Sequence, residues 1–188
     1  ITDDYTNKSL EQTLELGHVD FIKPRIEMVS SAKDANEKTE TIIFNVIDKY
    51  LDTTEEVTAN DITVSVGGEK ASAIKKTLTR VVANDTSVTI NGEPQVVVQQ
   101  YKLVLSDFEQ PRDSKLYRDW SGKVSIDIAE NAVKDQVKEI GETTSGGNTN
   151  DSEVFTGDFV DFITPDFTYE YSNTTIDHGN KNVTIVFS

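Results

Sequence analysis

The chain of 188 residues is long enough for one domain of ordinary size with flanking segments. Its formal net charge of −15 repels nucleic acid and anionic membranes, which argues against binding to a phosphate backbone, although acidity alone is also typical of a soluble protein. The absence of cysteine excludes disulfides, thiolate metal ligands and cysteine nucleophiles, and no apolar run is long enough to span a bilayer.

The first predicted elements are strands. Thr39–Val46 contains a Thr-Ile-Ile-Phe block that is rich in β-branched and aromatic residues. Ile62–Val66 alternates apolar and hydroxyl side chains, and Gly67-Gly68 after it predicts a hairpin turn. Leu78–Ala83 is a further apolar-rich strand.

The second half of the chain continues the pattern. Val88–Ile90 precedes Asn91-Gly92, the strongest short hairpin signal, and Gln95–Leu105 follows as a long apolar strand. Val124–Ile128 alternates again, and Ala129–Ile140 predicts one short helix from its Ala, Glu, Lys and Gln content. Short strands separated by turns predict an all-β sandwich. Its expected inward residues are Phe21, Ile43, Val64, Ile90, Leu103, Ile126 and Phe162.

Part of the sequence occurs twice. Val19–Ile22, followed by Pro24, reappears as Val160–Ile163 at an offset of 141 (160 − 19). Lys38, Thr41, Ile42, Ile43 and Phe44 reappear as Lys181, Thr184, Ile185, Val186 and Phe187 at an offset of 143 (181 − 38). Matching blocks at a nearly fixed period indicate a tandem repeat, and we expect the chain to be a window on a longer array.

The repeat predicts four segments. Residues 1–18 are expected to be the tail of a preceding repeat, and 19–145 a complete sandwich. Residues 146–158, with Gly146-Gly147 and several Asn, read as a linker. Residues 159–188 are then expected to form the first strands of the next repeat.

The strands resemble bacterial immunoglobulin-like repeats, the modules of adhesins and S-layer-type surface proteins. Lys38–Phe44 and Lys181–Ser188 are similar to an early strand, and Tyr101–Ser106 to a late one. Val124–Ile128, continuing to Asn131–Asp135, is similar to the last strand and its exit. The resemblance implies an immunoglobulin-like β-sandwich in tandem on a bacterial cell surface, with neighbouring repeats as partners. A unit of about 140 residues exceeds the usual length of about 100, which places extra structure in 69–95 and 107–122.

The sequence favours no enzyme and no cofactor. His18 and His178 occupy unmatched places in the two copies, and neither a Gly-x-Ser-x-Gly nor a His-Glu-x-x-His motif is present. Gly67-Gly68 and Gly146-Gly147 lack the Lys-Ser/Thr of a phosphate loop, so they read as a turn and a linker.

Calcium at the repeat junctions is the alternative to no cofactor. Calcium takes six to eight oxygen ligands, and acidic residues crowd the expected junctions, although without the spacing of an EF-hand. Solvated carboxylates explain the same composition and are the favoured interpretation. The candidate ligands are Asp3, Asp4, Asp20, Asp151, Asp158 and Asp161.

Two further candidate features involve side-chain contacts. Trp120 with Tyr117, Arg112 and Arg118 has the composition of a partner-binding hot spot for a host protein, matrix protein or glycan. The alternative is that Trp120 plugs one end of the sandwich. A self-formed amide bond, which some surface domains carry, would pair Lys23 or Lys38 with Asn131 or Asp135 and is disfavoured by the turn-like surroundings of the lysines.

Three functions follow from these features. The first is a non-catalytic stalk or adhesin module. The second is a self-assembling filament or surface-layer subunit, in which the terminal hairpin 160–188 adds strands to a neighbouring chain. The third is a carbohydrate-binding module that uses Trp120.

Overall fold

The computed structural model describes residues 22–109, 119–136, 147–163, 175–177, 179 and 182–184. These ranges contain eleven strands and two single-turn 3₁₀ helices, Ala59–Asp61 and Val82–Asn84. The all-β prediction is confirmed. The strands are β1 (Arg25–Asp34), β2 (Thr39–Asp48), β3 (Ile62–Val66), β4 (Glu69–Lys70), β5 (Lys75–Arg80), β6 (Thr86–Ile90), β7 (Glu93–Ser106), β8 (Ser121–Ile128), β9 (Glu153–Asp161), β10 (Thr175–Asp177) and β11 (Asn182–Thr184).

The strands form two sheets that face each other as a sandwich. The first sheet has the order β1-β2-β7-β5, and β6 also pairs with β7, beside its N-terminal half. The second has the order β4-β3-β8-β9. Neighbouring strands in both sheets are antiparallel. β10 and β11 form a separate hairpin.

The core lies between the two sheets and follows from alternation along the strands. Successive side chains of a strand point to opposite faces, so every second residue of a strand faces the core, and most of these residues are apolar. The Phe44 ring stacks on the Tyr101 ring with centroids 5.3 Å apart. Burying each such side chain contributes about 1.5–3 kcal/mol. The inward residues of the four central strands are Ile42, Phe44, Val46, Ile62, Val64, Val66, Tyr101, Leu103, Leu105, Val124, Ile126 and Ile128.

The expected inward residues were only partly correct. Val64, Leu103, Ile126 and Phe162 are buried, as predicted. Ile43 is only half-buried, because Ile42 and Phe44 on either side of it point inward, and Ile90 is 56% exposed. A Thr-Ile-Ile-Phe block offers apolar residues to both faces of a strand, so pairing with β7 decides which set is buried. Phe21 lies outside the described residues.

Both predicted hairpin turns are confirmed. Asn91 and Gly92 join β6 to β7 with φ values of 52° and 84°. Gly67 and Gly68 join β3 to β4 with φ values of 60° and 86°. Two consecutive positive φ angles are the requirement of the type I′ turn, which matches the twist of the flanking strands.

The predicted helix at Ala129–Ile140 is wrong over its described part. Residues 131–136 form a turn and bends with isolated β-bridges at Lys134 and Asp135. The N–H of Gln136 donates to the carbonyl of Tyr50 (2.8 Å) and that of Asp135 to the carbonyl of Asn148 (3.0 Å). Backbone pairing on both sides overrides a helix propensity of a few tenths of a kcal/mol per residue. Residues 137–140 lie outside the described residues.

The last strand replaces the predicted linker. The linker was expected at 146–158 and a new repeat from 159, but β9 pairs with β8 across both segments. Val160 is fully buried, and Phe162 is 7% exposed in the same core. β9 is therefore the final strand of this sandwich. The sequence placed the final strand at Val124–Ile128, which lies in β8, the strand that precedes β9 in the chain. The expected tail at 1–18 lies outside the described residues.

Gly122 is predicted to tolerate substitution poorly. Its φ is +139°, and a Cβ atom there would lie 2.8 Å from the backbone of Gly67. Gly122→Ala should lower the free energy of unfolding by about 3 kcal/mol. Gly68→Ala, at φ +86° with open space around it, is the control and should cost about 1 kcal/mol. Urea unfolding followed by the fluorescence of the single tryptophan measures both, and equal losses would contradict the close approach.

Candidate functional site: the two poles of the sandwich

The chain enters and leaves the sandwich at opposite ends. β1 and β9 begin close together, since Lys23 Nζ lies 2.5 Å from Asp151 Oδ1 just before each strand starts. Their later parts also meet, because Lys33 Nζ donates to the carbonyl of Phe159 (3.1 Å). The two strands therefore run side by side in the same direction. We call the end at Ile22–Arg25 the near pole and the end at Asp161–Ile163 the far pole; a ten-residue strand separates them by roughly 33 Å.

Aromatic rings close the far pole. The Phe162 ring meets the Phe108 ring edge-on, with centroids 5.2 Å apart. Trp120 is 7% exposed at the same end of the sandwich, and its backbone N–H donates to the carbonyl of Phe108 (2.9 Å). Trp120 therefore plugs this end of the sandwich, so its indole is not accessible to the glycan or protein partner that the sequence suggested. Arg112, Tyr117 and Arg118 lie outside the described residues.

The described candidate calcium ligands do not lie together. Asp151 pairs with Lys23 near the near pole, while Asp161 Oδ1 accepts from the N–H of Ile163 (3.3 Å) at the far pole. Asp158 lies between them on β9. Ten residues of extended chain separate Asp151 from Asp161 by roughly 33 Å. Within the described ranges, no group of three or more His, Asp or Glu side chains could hold a metal ion. Asp3, Asp4 and Asp20 lie outside those ranges.

The lysines considered for an amide bond have other partners. Lys23 pairs with Asp151, and Lys38 Nζ lies 2.5 Å from Glu109 Oε2. Asn131 Oδ1 instead accepts from the Thr149 hydroxyl. The Asp135 carboxylate accepts from the backbone and side-chain amides of Asn148 at 2.9 and 2.8 Å. The sequence disfavoured an amide bond between these lysines and Asn131 or Asp135, and each of the four residues has another partner in the structure.

A polar cleft of about 370 Å³ lies beside the near pole. The Thr54 hydroxyl and N–H donate to Asp52, and these bonds lower the pKa of that carboxyl. Lys134 Nζ lies 2.7 Å from Glu55 Oε1, and this partner raises the pKa of the lysine. Lys134 and Glu55 are thus paired with each other, while Asp52 is bonded to Thr54 and Asp135 to Asn148. It is lined by Asp52, Thr54, Glu55, Lys134, Asp135, Gln136 and Gly147.

A hairpin, which we call the arm (Thr86–Val98), extends beyond the near pole. The last residue of β2, Asp48, pairs with Val97, so the part of β7 before Val97 continues past the end of β2. Val88 and Ile90 are 48% and 56% exposed on this extension. Among the 13 residues of the arm, Glu93 alone is charged, although 27% of the whole chain is charged.

An ionic network fixes the base of the arm. Arg80 Nη1 lies 2.8 Å from Glu56 Oε1, and Arg80 Nη2 lies 2.8 Å from Asp85 Oδ2. Asp85 Oδ1 also accepts from the N–H of Gln100 (3.0 Å) in β7. The hydrogen bonds that Arg80 donates to Glu56 and to Asp85 raise the pKa of its guanidinium, which therefore stays charged. The residue just before β6 is therefore tied to both neighbouring strands.

Comparison with known proteins found no matching family model, curated protein or solved structure. In the described ranges, no helix combines the length and the apolar content that crossing a membrane requires.

The buried hydroxyl of Tyr101 should make the free energy of unfolding fall at alkaline pH. Its hydroxyl donates to Gln99 Oε1 (2.9 Å), and burial raises its pKa from the ordinary value of 10.0 to about 12. Between these values the unfolded chain loses the proton while the folded chain keeps it. The free energy of unfolding should therefore fall by about 2–3 kcal/mol between pH 10 and 12.

The Tyr101→Phe variant should remove this contribution to the alkaline decline. At neutral pH it should be about 1 kcal/mol less stable than the parent, because Gln99 loses its donor. Tyr50→Phe, which changes a half-buried ring beside Lys49, is the control and should retain the decline. Urea unfolding at a series of pH values measures each variant, and an unchanged slope in Tyr101→Phe would refute the assignment.

Proposed function

We propose that the chain is part of a tandem array of β-sandwich modules that serves as a non-catalytic stalk or adhesin segment on a bacterial cell surface. The observation that carries this proposal is the register of two hairpins. In the first, Asp34, Lys33 and Ala32 of β1 pair with Thr39, Glu40 and Thr41 of β2. In the second, Asp177, Ile176 and Thr175 of β10 pair with Asn182, Val183 and Thr184 of β11.

Each paired residue of the second hairpin stands 143 positions after its counterpart in the first (177 − 34 and 182 − 39). The same offset relates Lys38–Phe44 to Lys181–Phe187 in the sequence. Agreement in both sequence and strand register supports reading β10 and β11 as the first hairpin of a second module. Similar sequences alone do not fix how two strands pair: a shift of one residue would turn every side chain to the opposite face. The equal pairing in the two hairpins is therefore an observation additional to the sequence match.

The repeated Val-Asp-Phe-Ile motif supports a boundary between modules. Val160–Ile163 spans the end of β9 at the far pole, and the same four letters, Val19–Ile22, are separated from the start of β1 by two residues. We therefore place the passage from one module to the next at 162–165. This junction is short, and Phe162 anchors it in the core of its own module. A short, anchored junction makes an array stiffer than a flexible Gly-rich linker would.

The architecture also supports the immunoglobulin-like assignment. Two facing antiparallel sheets built from short strands are common to that class, and the arm contributes to the length beyond about 100 residues. A surface location accords with the absence of cysteine and the net charge of −15. The partners proposed first are neighbouring modules of the same protein.

Opposite poles give the module a load-bearing geometry. Force applied at Ile22 and Ile163 acts along β1 and β9, parallel to the strands. The nine residue pairs of β1 with β2 and the seven of β9 with β8 are then loaded together. Force applied to both strands of a hairpin at one pole instead opens its hydrogen bonds one after another.

We predict that resistance to force depends on the direction of pulling. The chain has no cysteine, so Ile22→Cys with Ile163→Cys provides two unique handles at opposite poles. The control, Ile22→Cys with Lys49→Cys, places both handles at the near pole and peels β1 from β2. Single-molecule pulling should require a clearly higher unfolding force for the first pair. Equal forces, or a weaker response across the poles, would contradict the load-bearing role.

The tandem arrangement itself is tested in the coding DNA on both sides of this segment. We expect further copies of the Val-Asp-Phe-Ile motif, each about 140 residues from the next. Flanking sequences without such copies on either side would overturn the array, whatever the mechanical result.

A further inference from the structure

One sheet edge of the sandwich lacks the usual protection against pairing with another chain. Exposed edges are normally blunted by charge, bulges or brevity. β1 has a register shift at Met28–Ser30, and β4 is only two residues long. β5 carries Lys75 and Lys76, and Lys76 points inward, where Nζ donates to the carbonyls of Ala59 and Ile62. β9 carries Glu153, Asp158 and Asp161.

β6 has none of these features. Its sequence, Thr-Ser-Val-Thr-Ile, is uncharged, and all five side chains are exposed. In the described part of the chain it pairs with β7 alone, so its outer edge is unpaired there. The irregularity of this hairpin adds Gln95 to β7 and leaves β6 itself continuous, since Val88 pairs with Val96 and Thr89 with Pro94. The result is an uninterrupted strand edge on the arm, which extends past the end of β2.

We propose that this edge binds the β6 edge of a second copy of the chain, so that two first sheets join into one continuous antiparallel sheet. The charge pattern selects this partner. Two copies with a net charge of −15 each repel one another over most of their surfaces. A symmetric antiparallel strand pair places the central residue opposite its own copy and its neighbours opposite one another, so a charge at the centre would face a like charge, which an uncharged strand avoids.

The sequence of β6 suits symmetric pairing about Val88. Val88 faces its own counterpart, Ser87 faces Thr89, and Thr86 faces Ile90. Each of these positions holds a β-branched or small hydroxyl side chain, which favours a strand. The nearest charge, Asp85, is paired with Arg80 within its own module. The inference uses only one sandwich and does not depend on the tandem arrangement.

The test is sedimentation velocity of the 188-residue chain over a concentration series that reaches about 1 mM. We expect a reversible monomer–dimer equilibrium. Val88→Lys should raise the dissociation constant at least about tenfold, because two like charges then lie directly opposite each other. Val154→Lys is the matched control, since Val154 is 62% exposed on β9, away from the arm, and it should leave the equilibrium unchanged.

A mixture of two variants tests the register. Val88→Glu alone should also dissociate, but equimolar Val88→Lys and Val88→Glu should form a heterodimer in which Lys faces Glu. Wild-type amide exchange in β6 should slow as concentration rises, which provides a measurement that does not require a variant to fold. A monomer at every concentration, a dimer that Val88→Lys leaves intact, or a mixture that fails to associate would each overturn the proposal.

Discussion

The carboxylate of Glu40 joins the last strand of the sandwich to its first two strands. It is fully buried on the inward face of β2, where Oε1 accepts from the Ser31 hydroxyl of β1 (2.7 Å) and from the N–H of Asp158 in β9 (3.0 Å). Gly157 makes room for it, because a Cβ there would lie 2.8 Å from Oε1. A buried polar group requires such partners, so this bond fixes β9 beside β1. The opposite poles follow from that placement.

Local signals were sufficient for much of the fold, because they act within a few residues. Asn91-Gly92 and Gly67-Gly68 determine their own turns, and alternation in β3 and β8 determines which face is buried. Local signals could not predict which segments distant in sequence would pair. β9 contains Gly157 and two aspartates and reads poorly as a strand, yet β8 supplies its hydrogen bonds and Glu40 requires the glycine. The segment 131–136 is likewise held out of a helix by backbone bonds to residues distant in sequence, Tyr50 on one side and Asn148 on the other.

The candidate site was harder to predict than the fold, because composition does not specify distance. Asp151 and Asp161 are close in sequence, but an extended strand places them at opposite poles. Trp120 beside basic residues reads as an exposed contact, whereas it is buried in the core at the far pole, as are Phe108 and Phe162. The arm was missed although its signal was present: a run of 13 residues with one charge, in an otherwise strongly charged chain. Charge depletion of an exposed strand would have identified it.

Axial and lateral contacts place different demands on one module. In the proposed array, covalent continuity would hold neighbouring modules together along the chain, so a pole can carry charged pairs such as Lys23–Asp151 and Lys38–Glu109. Between chains nothing holds copies together except the contact itself, and each copy carries the same net charge of −15. An acidic surface then discriminates by repulsion, which leaves only neutral surfaces able to adhere. On this argument the acidity of the chain does more than keep it soluble: it restricts lateral association to the one edge, β6, from which charge has been removed.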